Sequence, residues 1–233
     1  MILSLTWYFQ SKNLALKNAL GFRCPLAVGQ QTELRHYYGS YFASLVSATE
    51  LLLEKEYPHN VGFKDALERA LGSGSLTDGE RYYGYVRELR NAIVHRGLDV
   101  CAAAHIDGDF PLPVAPQTVQ NRSGNKSYAS PAFYLHDIIR MCESIVGPAI
   151  EHHLDEVGLL LPQNTQERAV AADIEHIAES VVMPEWVKEF SLKTVGSLDY
   201  VELQRTQIRN FVDLLRFNAA ADILLRTSHE AAP

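Results

Sequence analysis

Cysteine is scarce in this sequence, and the three that occur follow no metal-binding or redox pattern. Cys24, Cys101 and Cys142 are far apart, and none belongs to a CxxC pair. An odd number of widely spaced cysteines is typical of reduced thiols in a cytosolic protein. We therefore expect a cytoplasmic protein whose cysteines fill small apolar sites and form neither a disulfide framework nor a zinc site.

Long apolar runs are also missing. A membrane-spanning helix needs roughly 18 or more consecutive apolar residues. The N-terminal segment MILSLTWYFQSKNLALKNALG starts with apolar residues, but Gln10, Lys12 and Lys17 interrupt it, and no small-residue cleavage site follows. The segment therefore predicts an amphipathic helix, and we expect neither a signal peptide nor a membrane partner.

Positive charge is in deficit, since 21 Lys and Arg residues face 28 Asp and Glu residues, for a net charge of -7. Any contact with RNA or DNA must therefore come from a local patch. The phosphate-cradling motif GxxxxGK[ST], the dinucleotide motif GxGxxG and the hydrolase motif GxSxG are all missing. Nucleotide hydrolysis and serine-hydrolase chemistry have no support in the sequence, and no cofactor is expected.

What the chain does have is helical periodicity, with apolar residues recurring every three or four positions. Helices are predicted up to Leu20, at residues 31–57, at residues 63–71, from a cap at Thr77 or Asp78 to Gly97, and from Pro131 to about residue 158 with an interruption or kink near Gly147-Pro148. The fold class that this pattern favours is all-α, with residues 1–160 forming a bundle of four or five helices.

Two parts of the chain fall outside the helices of this bundle. Residues 99–130 are rich in Gly, Pro, Asn and Ser, and predict a long irregular insertion with a hairpin around Gly108 or Gly124. Pro162 and the polar segment after it mark the start of a helical C-terminal extension, residues 163–233. The extension is predicted to contain helices at about 165–182, near Trp186, and at about 198–226.

The stretch RELRNAIVHRG, residues 87–97, carries polar side chains that the core does not require. On an ideal helix the core-facing stripe consists of Tyr82, Val86, Leu89 and Ile93. Glu88, Asn91 and His95 fall together on nearly the opposite side. Arg90 lies roughly 140° from His95 around the helix axis, so both serve one substrate only if a groove or a second subunit wraps the helix end.

These polar side chains have the chemistry of a phosphate-cleaving site. His95 lies in the last turn, where free backbone carbonyls favour a cationic imidazole that can exchange protons near neutral pH. The Arg90 guanidinium suits a phosphate, and Asn91 can orient the His95 ring by hydrogen bonding. A structural role is also open, because cationic residues followed by a glycine, here Gly97, commonly end a helix. Glu50 could pair with Arg90, act as an auxiliary acid, or be an ordinary helix-end charge.

The motif resembles that of the HEPN superfamily, in which an Arg, a polar residue and then a His four to six places after the Arg lie near the end of a helix. In this sequence it stands as Arg90-Asn91-Ala92-Ile93-Val94-His95. The order of elements is also similar: a long helix carrying HYYGSYFASLVSATELLLE, a short helix, the motif helix and another long helix. The resemblance covers roughly residues 30–157 and implies a HEPN-like bundle of four or five helices.

Many HEPN proteins are metal-independent endoribonucleases that work as dimers, often as toxins or as defence and stress factors. The resemblance therefore implies a homodimer that cleaves RNA by attack of the 2′-hydroxyl on the adjacent phosphate and leaves a 2′,3′-cyclic phosphate, without a metal. His95 would move protons, Arg90 would stabilise charge on the phosphate, and Asn91 would position one of them. Glu50 and Glu88 would be auxiliary residues. For a toxin, a neutralising protein partner is also implied.

Other interpretations stay open beside this one. Some HEPN proteins act only as binding modules, so the chain could be a non-catalytic helical dimer that binds a protein or nucleotide, with Trp186 and residues 200–217 as an interface. The cluster EHHLDE at residues 151–156 resembles a metal site but lacks a third ligand at suitable spacing. Gly97 stands where some family toxins carry a tyrosine that a partner enzyme modifies, so that form of control is not expected.

An RNA-binding surface would have to be small in this acidic chain. The motif helix itself supplies a local basic edge made of Arg87, Arg90 and Arg96. Because only a few cations are available to contact phosphates and the rest of the surface is acidic, we expect weak binding of RNA. Because these contacts are electrostatic, we also expect the binding to be salt-sensitive.

Overall fold

The helical class expected from the sequence is confirmed by a computed structural model, which describes residues 1–218 of the chain. These residues form eight α-helices, one short 3-10 helix and two small two-stranded sheets. The described chain divides into two compact units. The first comprises Met1–His153 and the described residues from Leu214 onward, and the second comprises Leu154–Asp213.

The first unit is a helical bundle with α2 at its centre. Its helices are α1 (Ile2–Ala19), α2 (Val28–Leu53), α3 (Asn60–Leu71), α4 (Leu76–Arg96) and α5 (Leu135–Glu156), the last of which ends in the second unit. α2 packs against α1, α3 and α4. Its buried apolar and aromatic residues supply much of the core, and they include Leu34, Tyr38, Tyr41, Phe42, Leu45 and Leu52. The motif helix α4 is therefore positioned by α2.

Several helix ends differ from the sequence prediction. α2 ends at Leu53, short of the predicted Tyr57, because Glu54 adopts an extended backbone conformation. α5 begins at Leu135, after the predicted Pro131. A proline fixes only its own φ and removes one donor, so Pro131 marks the approach to the helix without being its first residue.

The start of α4 is capped by a residue other than the two predicted caps. The Ser75 hydroxyl accepts a hydrogen bond of 3.3 Å from the backbone N–H of Asp78. The predicted caps, Thr77 and Asp78, therefore lie inside the first turn of the helix. There the Asp78 carboxylate interacts favourably with the positive end of the helix dipole.

α5 runs through Pro148 as one continuous helix, so of the interruption or kink predicted near Gly147-Pro148 the interruption does not occur. The preceding residue, Gly147, packs against the last turn of α8. A Cβ atom at Gly147 would overlap the backbone carbonyl of Leu215, and the Arg216 guanidinium pairs with the Glu151 carboxylate one turn further along α5. The glycine therefore permits a close helix contact within the first unit.

Residues 99–130 form two β-hairpins, one at Gly108 and one at Gly124, where the sequence predicted an irregular insertion with a hairpin at one or the other. Both glycines have a positive φ, 60° and 72°, which glycine adopts without steric cost. The antiparallel pairs are β1 (Ala104–Asp107) with β2 (Phe110–Pro113), and β3 (Thr118–Gln120) with β4 (Ser127–Ala129). β3 and β4 both contact α4, so the second hairpin lies along the motif helix.

The second unit consists of short helices: α6 (Gln166–Glu179), α7 (Glu185–Thr194), a 3-10 helix (Val195–Ser197) and most of α8 (Tyr200–Arg216). The Gln166 amide donates to the Leu198 carbonyl at 2.6 Å and accepts from the Tyr200 N–H at 2.8 Å, which fixes the start of α8. The predicted helix at 198–226 is thus present up to Arg216, and residues 219–226 lie outside the described residues. No helix of residues 1–218 has both the length and the apolar character needed to cross a membrane.

A buried ion pair joins three helices of the first unit. Lys12 Nζ on α1 lies 2.7 Å from Glu143 Oε1 on α5, and the Tyr41 hydroxyl on α2 donates to the same oxygen at 2.9 Å. All three side chains are at most 5% exposed. Burial lowers the pKa of Lys12, while the Glu143 carboxylate acts in the opposite direction. One carboxylate oxygen therefore links α1, α2 and α5.

We expect Lys12→Met to destabilise the first unit by about 3–5 kcal/mol, because it leaves the Glu143 carboxylate buried without its cation. The double variant Lys12→Met with Glu143→Met should recover much of this loss, since it removes both charges. Urea denaturation followed by circular dichroism measures both free energies of unfolding. A single variant as stable as the wild type would show that the ion pair does not hold the helices together.

His136 on α5 is a second buried polar group, 4% exposed, and its Nε2 atom lies 2.7 Å from the Tyr38 hydroxyl. Burial lowers the pKa of His136 from 6.5 to about 4, with a further contribution from the positive charge of Arg140. Between these two pH values the unfolded chain binds a proton that the folded chain does not. The His136 site therefore favours folding above pH 6.5 and loses this contribution as pH falls toward 4.

We expect the free energy of unfolding to decrease as pH is lowered from about 6.5 to about 4, and His136→Gln to reduce that slope. Glutamine keeps an amide near the Tyr38 hydroxyl but does not titrate. Urea denaturation at a series of pH values measures both profiles, with carboxylate titration common to the two proteins. If the free energy of unfolding depends equally on pH in the wild type and in His136→Gln, the pH dependence does not come from His136.

Candidate functional site

The end of α4 and the tip of the second hairpin border an open groove of about 760 Å³. This volume is within the range of ligand-binding clefts, about 300–1,000 Å³. Residues from both elements line it, namely Glu88, Asn91, His95 and Arg96 from α4, and Asn121, Arg122 and Ser123 from the hairpin. Three of the residues selected from the sequence, Glu88, Asn91 and His95, therefore share one groove.

The side chains of Asn91 and His95 line the groove without hydrogen-bond or ion-pair partners in the described residues. His95 is exposed and Asn91 is half-buried. Neither side chain forms a hydrogen bond or ion pair with any other residue of the described chain, 1–218. The hydrogen bond by which Asn91 could orient the His95 ring is therefore not formed in these residues. Both ring nitrogens of His95 are open to a ligand in the groove.

Glu88 forms the buried part of the groove wall. The sequence placed it on the side of α4 opposite the core, yet Glu88 is only 5% exposed. The reason is that the second hairpin covers this side of α4. One turn before Glu88, the Tyr128 ring packs so closely on Gly84 that a Cβ atom there would overlap it. Arg87 Nη2 lies 3.6 Å from the Glu88 carboxylate, which partly neutralises its charge.

Arg96 fastens the hairpin to the motif helix. Its Nη1 donates to the backbone carbonyl of Gln120 on β3 at 2.6 Å, and its Nη2 donates to the carbonyl of Glu88 at 3.2 Å. The helix ends directly after it, at Gly97, which has a left-handed φ of 68°. The Arg96 guanidinium is therefore used to bridge two backbone segments.

Hydrogen bonds among its own side chains order the hairpin tip. The Asn121 side chain donates to Asn125 Oδ1 at 2.7 Å and accepts from the Lys126 N–H at 3.1 Å. The Ser123 hydroxyl donates to the same Asn125 oxygen at 2.7 Å. Arg122 lies within this ordered turn. The sequence predicts a hairpin around Gly124 or Gly108 but does not mark these residues as functional, because no local signal shows that the hairpin folds onto α4.

Arg90 lies outside the residues that line the groove. Its guanidinium forms an ion pair with the Glu50 carboxylate on α2, so of the roles considered for Glu50 the pairing is the one observed. The Arg90 side chain is 14% exposed and that of Glu50 is 40% exposed. Arg90 Nε is buried without a hydrogen-bond partner in the described residues. A single chain therefore brings Arg90 to Glu50 and separates it from the groove of His95.

Residues 1–218 contain no group of three or more His, Cys, Asp or Glu side chains arranged to hold a metal ion, the segment 151–156 included. Comparison of the chain with known protein families, with curated proteins and with solved structures finds no match. A function must therefore be inferred from the groove and from the side chains that line it.

Arg90→Ala and His95→Ala should differ clearly in stability. We expect Arg90→Ala to lower the free energy of unfolding by about 1–2 kcal/mol, since it removes a largely buried stem and the partner of Glu50. His95→Ala should change it by less than about 0.5 kcal/mol, because the side chain is exposed and makes no bond within the described chain. Urea denaturation measures both. A destabilised His95→Ala variant would show that the imidazole has a structural role.

Proposed function

We propose that the protein is a metal-independent endoribonuclease of the HEPN type that acts as a homodimer. The observation that carries this proposal is the position of His95, exposed and unengaged within the described chain, beside Asn91 in a groove that also holds arginines. An imidazole next to cationic side chains suits proton transfer at a phosphodiester. The Arg90-Asn91-His95 spacing on which the family resemblance rests supports the same chemistry.

In the proposed reaction, His95 accepts the proton of a ribose 2′-hydroxyl as the 2′-oxygen attacks the adjacent phosphorus. The bond from phosphorus to the 5′-oxygen of the next nucleotide breaks, and this oxygen takes a proton from water. The products are a 2′,3′-cyclic phosphate and a 5′-hydroxyl end. Asn91, one helical turn before His95, positions the reacting groups by hydrogen bonding.

Arg90 takes part in this reaction only under one of two conditions. Its guanidinium can stabilise charge on the phosphate only if its ion pair with Glu50 opens or if a second copy brings its motif helix to the same cleft. Glu50 then tunes the availability of Arg90, while the Glu88 carboxyl group lies buried in the groove wall. A dimeric endoribonuclease of this kind fits a cytoplasmic toxin, defence or stress role with a neutralising protein partner.

A non-catalytic binding module is the second candidate, and two observations favour it. The ion pair with Glu50 already accounts for Arg90 structurally. In the second unit, Trp186 and Phe190 are one turn apart on α7 and are 73% and 66% exposed. Exposed aromatic residues of this kind are enriched at protein interfaces. In this alternative, the helical dimer binds a protein or nucleotide partner without cleaving RNA.

We expect the purified protein to cleave end-labelled single-stranded RNA in EDTA, and His95→Ala to lower the rate at least about 100-fold, the usual contribution of a general base. His176→Ala removes an exposed histidine of the second unit and is the matched control, expected to cleave like the wild type. Product 3′ ends should resist phosphatase until acid opens the cyclic phosphate.

Equal cleavage by the wild type and His95→Ala would overturn the proposed mechanism. If neither protein cleaves, although sedimentation shows folded dimers, the binding module becomes the better assignment. Retained binding of RNA under those conditions would support a nucleic-acid partner for that module.

A further inference from the structure

Arg122, at the tip of the second hairpin, is a cationic residue that lines the groove and lies outside the motif at residues 90–95. Arg122 lies between Asn121 and Ser123, whose side chains are held by hydrogen bonds to Asn125 and Lys126, and it lines the groove together with His95. No residue among 1–218 forms an ion pair or hydrogen bond with the Arg122 side chain. Its guanidinium therefore keeps all its donors for a ligand.

The other arginines near the motif already have hydrogen-bond or ion-pair partners within the protein. Arg96 donates to the carbonyls of Gln120 and Glu88, at 2.6 and 3.2 Å. Arg90 pairs with Glu50, and Arg87 lies 3.6 Å from the Glu88 carboxylate. Of the two arginines that line the groove in the described chain, Arg122 is thus the one without a protein partner.

The structure also fixes the hairpin that carries Arg122. The Arg96 bridge holds β3 to α4 at the groove, and the Tyr128 ring packs on Gly84 further along the same helix. Lys126 Nζ lies 3.1 Å from Glu80 and 5.3 Å from the centre of the Tyr128 ring. Since these contacts run along the length of the hairpin, its tip has a defined position relative to His95.

We propose that Arg122 binds a phosphate of a single-stranded RNA in this groove, so that the second hairpin is part of the substrate-binding site. The guanidinium of arginine matches a phosphate with two parallel N–H donors, and Arg122 is a cation without a partner in the described chain that lines the same groove as His95. Arg96 is then a positioning residue that acts through the hairpin. The identity of the substrate rests on the proposed endoribonuclease function.

The binding test uses a 5′-fluorescein-labelled 12-nucleotide RNA in which every 2′-hydroxyl is methylated, so that it cannot be cleaved. Fluorescence anisotropy at several NaCl concentrations gives Kd and its salt dependence. Arg122→Ala should weaken binding at low salt by about 10-fold or more, as expected for a charge-assisted hydrogen bond. The slope of log Kd against log salt should fall by about 0.7, the value for one phosphate contact on a single strand.

Arg69→Ala is the control for net charge, because Arg69 is exposed on α3 and does not line the groove. It should bind within about twofold of the wild type, as surface changes remote from a site do. A wild-type Kd and slope for Arg122→Ala, or a loss for Arg69→Ala equal to that for Arg122→Ala, would overturn the proposal. So would a wild-type protein that does not bind the probe.

The role of Arg96 is tested by a double-variant cycle. Arg96→Ala alone should weaken binding because the hairpin loses its bridge to α4, but it should add little to Arg122→Ala. Circular dichroism confirms that each variant is folded. Full additivity would show that Arg96 contacts the probe itself, and would overturn its assignment as a residue that acts through the hairpin.

The binding test of Arg122 and the cleavage test of the proposed endoribonuclease can fail independently. Binding of the methylated probe needs no proton transfer, whereas cleavage of ordinary RNA requires His95. Arg122-dependent binding without cleavage keeps the phosphate site and rejects the endoribonuclease. Cleavage dependent on His95 with an unchanged KM in Arg122→Ala keeps the endoribonuclease and rejects the role of Arg122.

Discussion

A single buried carboxylate, that of Glu143, constrains the geometry of the first unit. Lys12 and Tyr41 both contact its Oε1 atom, so α1, α2 and α5 cannot slide past one another without leaving a charge or a hydroxyl unpaired in the core. α2 in turn packs against α4. The position of the motif helix, and with it one wall of the groove, therefore depends on this interaction.

Local features of the chain were readable from the sequence because they depend on neighbouring residues. Helical periodicity predicted the helices, and the glycine-rich segment predicted one hairpin, around Gly108 or Gly124. The structure has a hairpin at each, and both glycines adopt the positive φ that such a turn requires. Helix ends were less well predicted, since a cap such as Ser75 competes with nearby residues of similar chemistry. The direction in which a hairpin folds has no such local signal, and the packing of Tyr128 on Gly84 decides it.

The candidate site also combines features that depend on neighbouring residues with features that depend on tertiary packing. The spacing of Asn91 and His95 on one helix face predicted that they would share an environment, and they line the same groove. The pairing of Arg90 with Glu50 was one of several roles left open, because it requires α2 and α4 to lie side by side. Arg122 and the burial of Glu88 could not be foreseen, since both result from the hairpin covering α4.

The Arg96 bridge has a consequence for the energetics of binding. Because it joins β3 to α4 within the free chain, no loop has to be ordered when a ligand enters the groove. The entropy that the protein itself loses on binding is then largely that of a few side-chain rotamers, about 0.5–1.5 kcal/mol for each. A groove that is ordered before its ligand arrives therefore loses less binding free energy to ordering than a loop that must fold around the ligand.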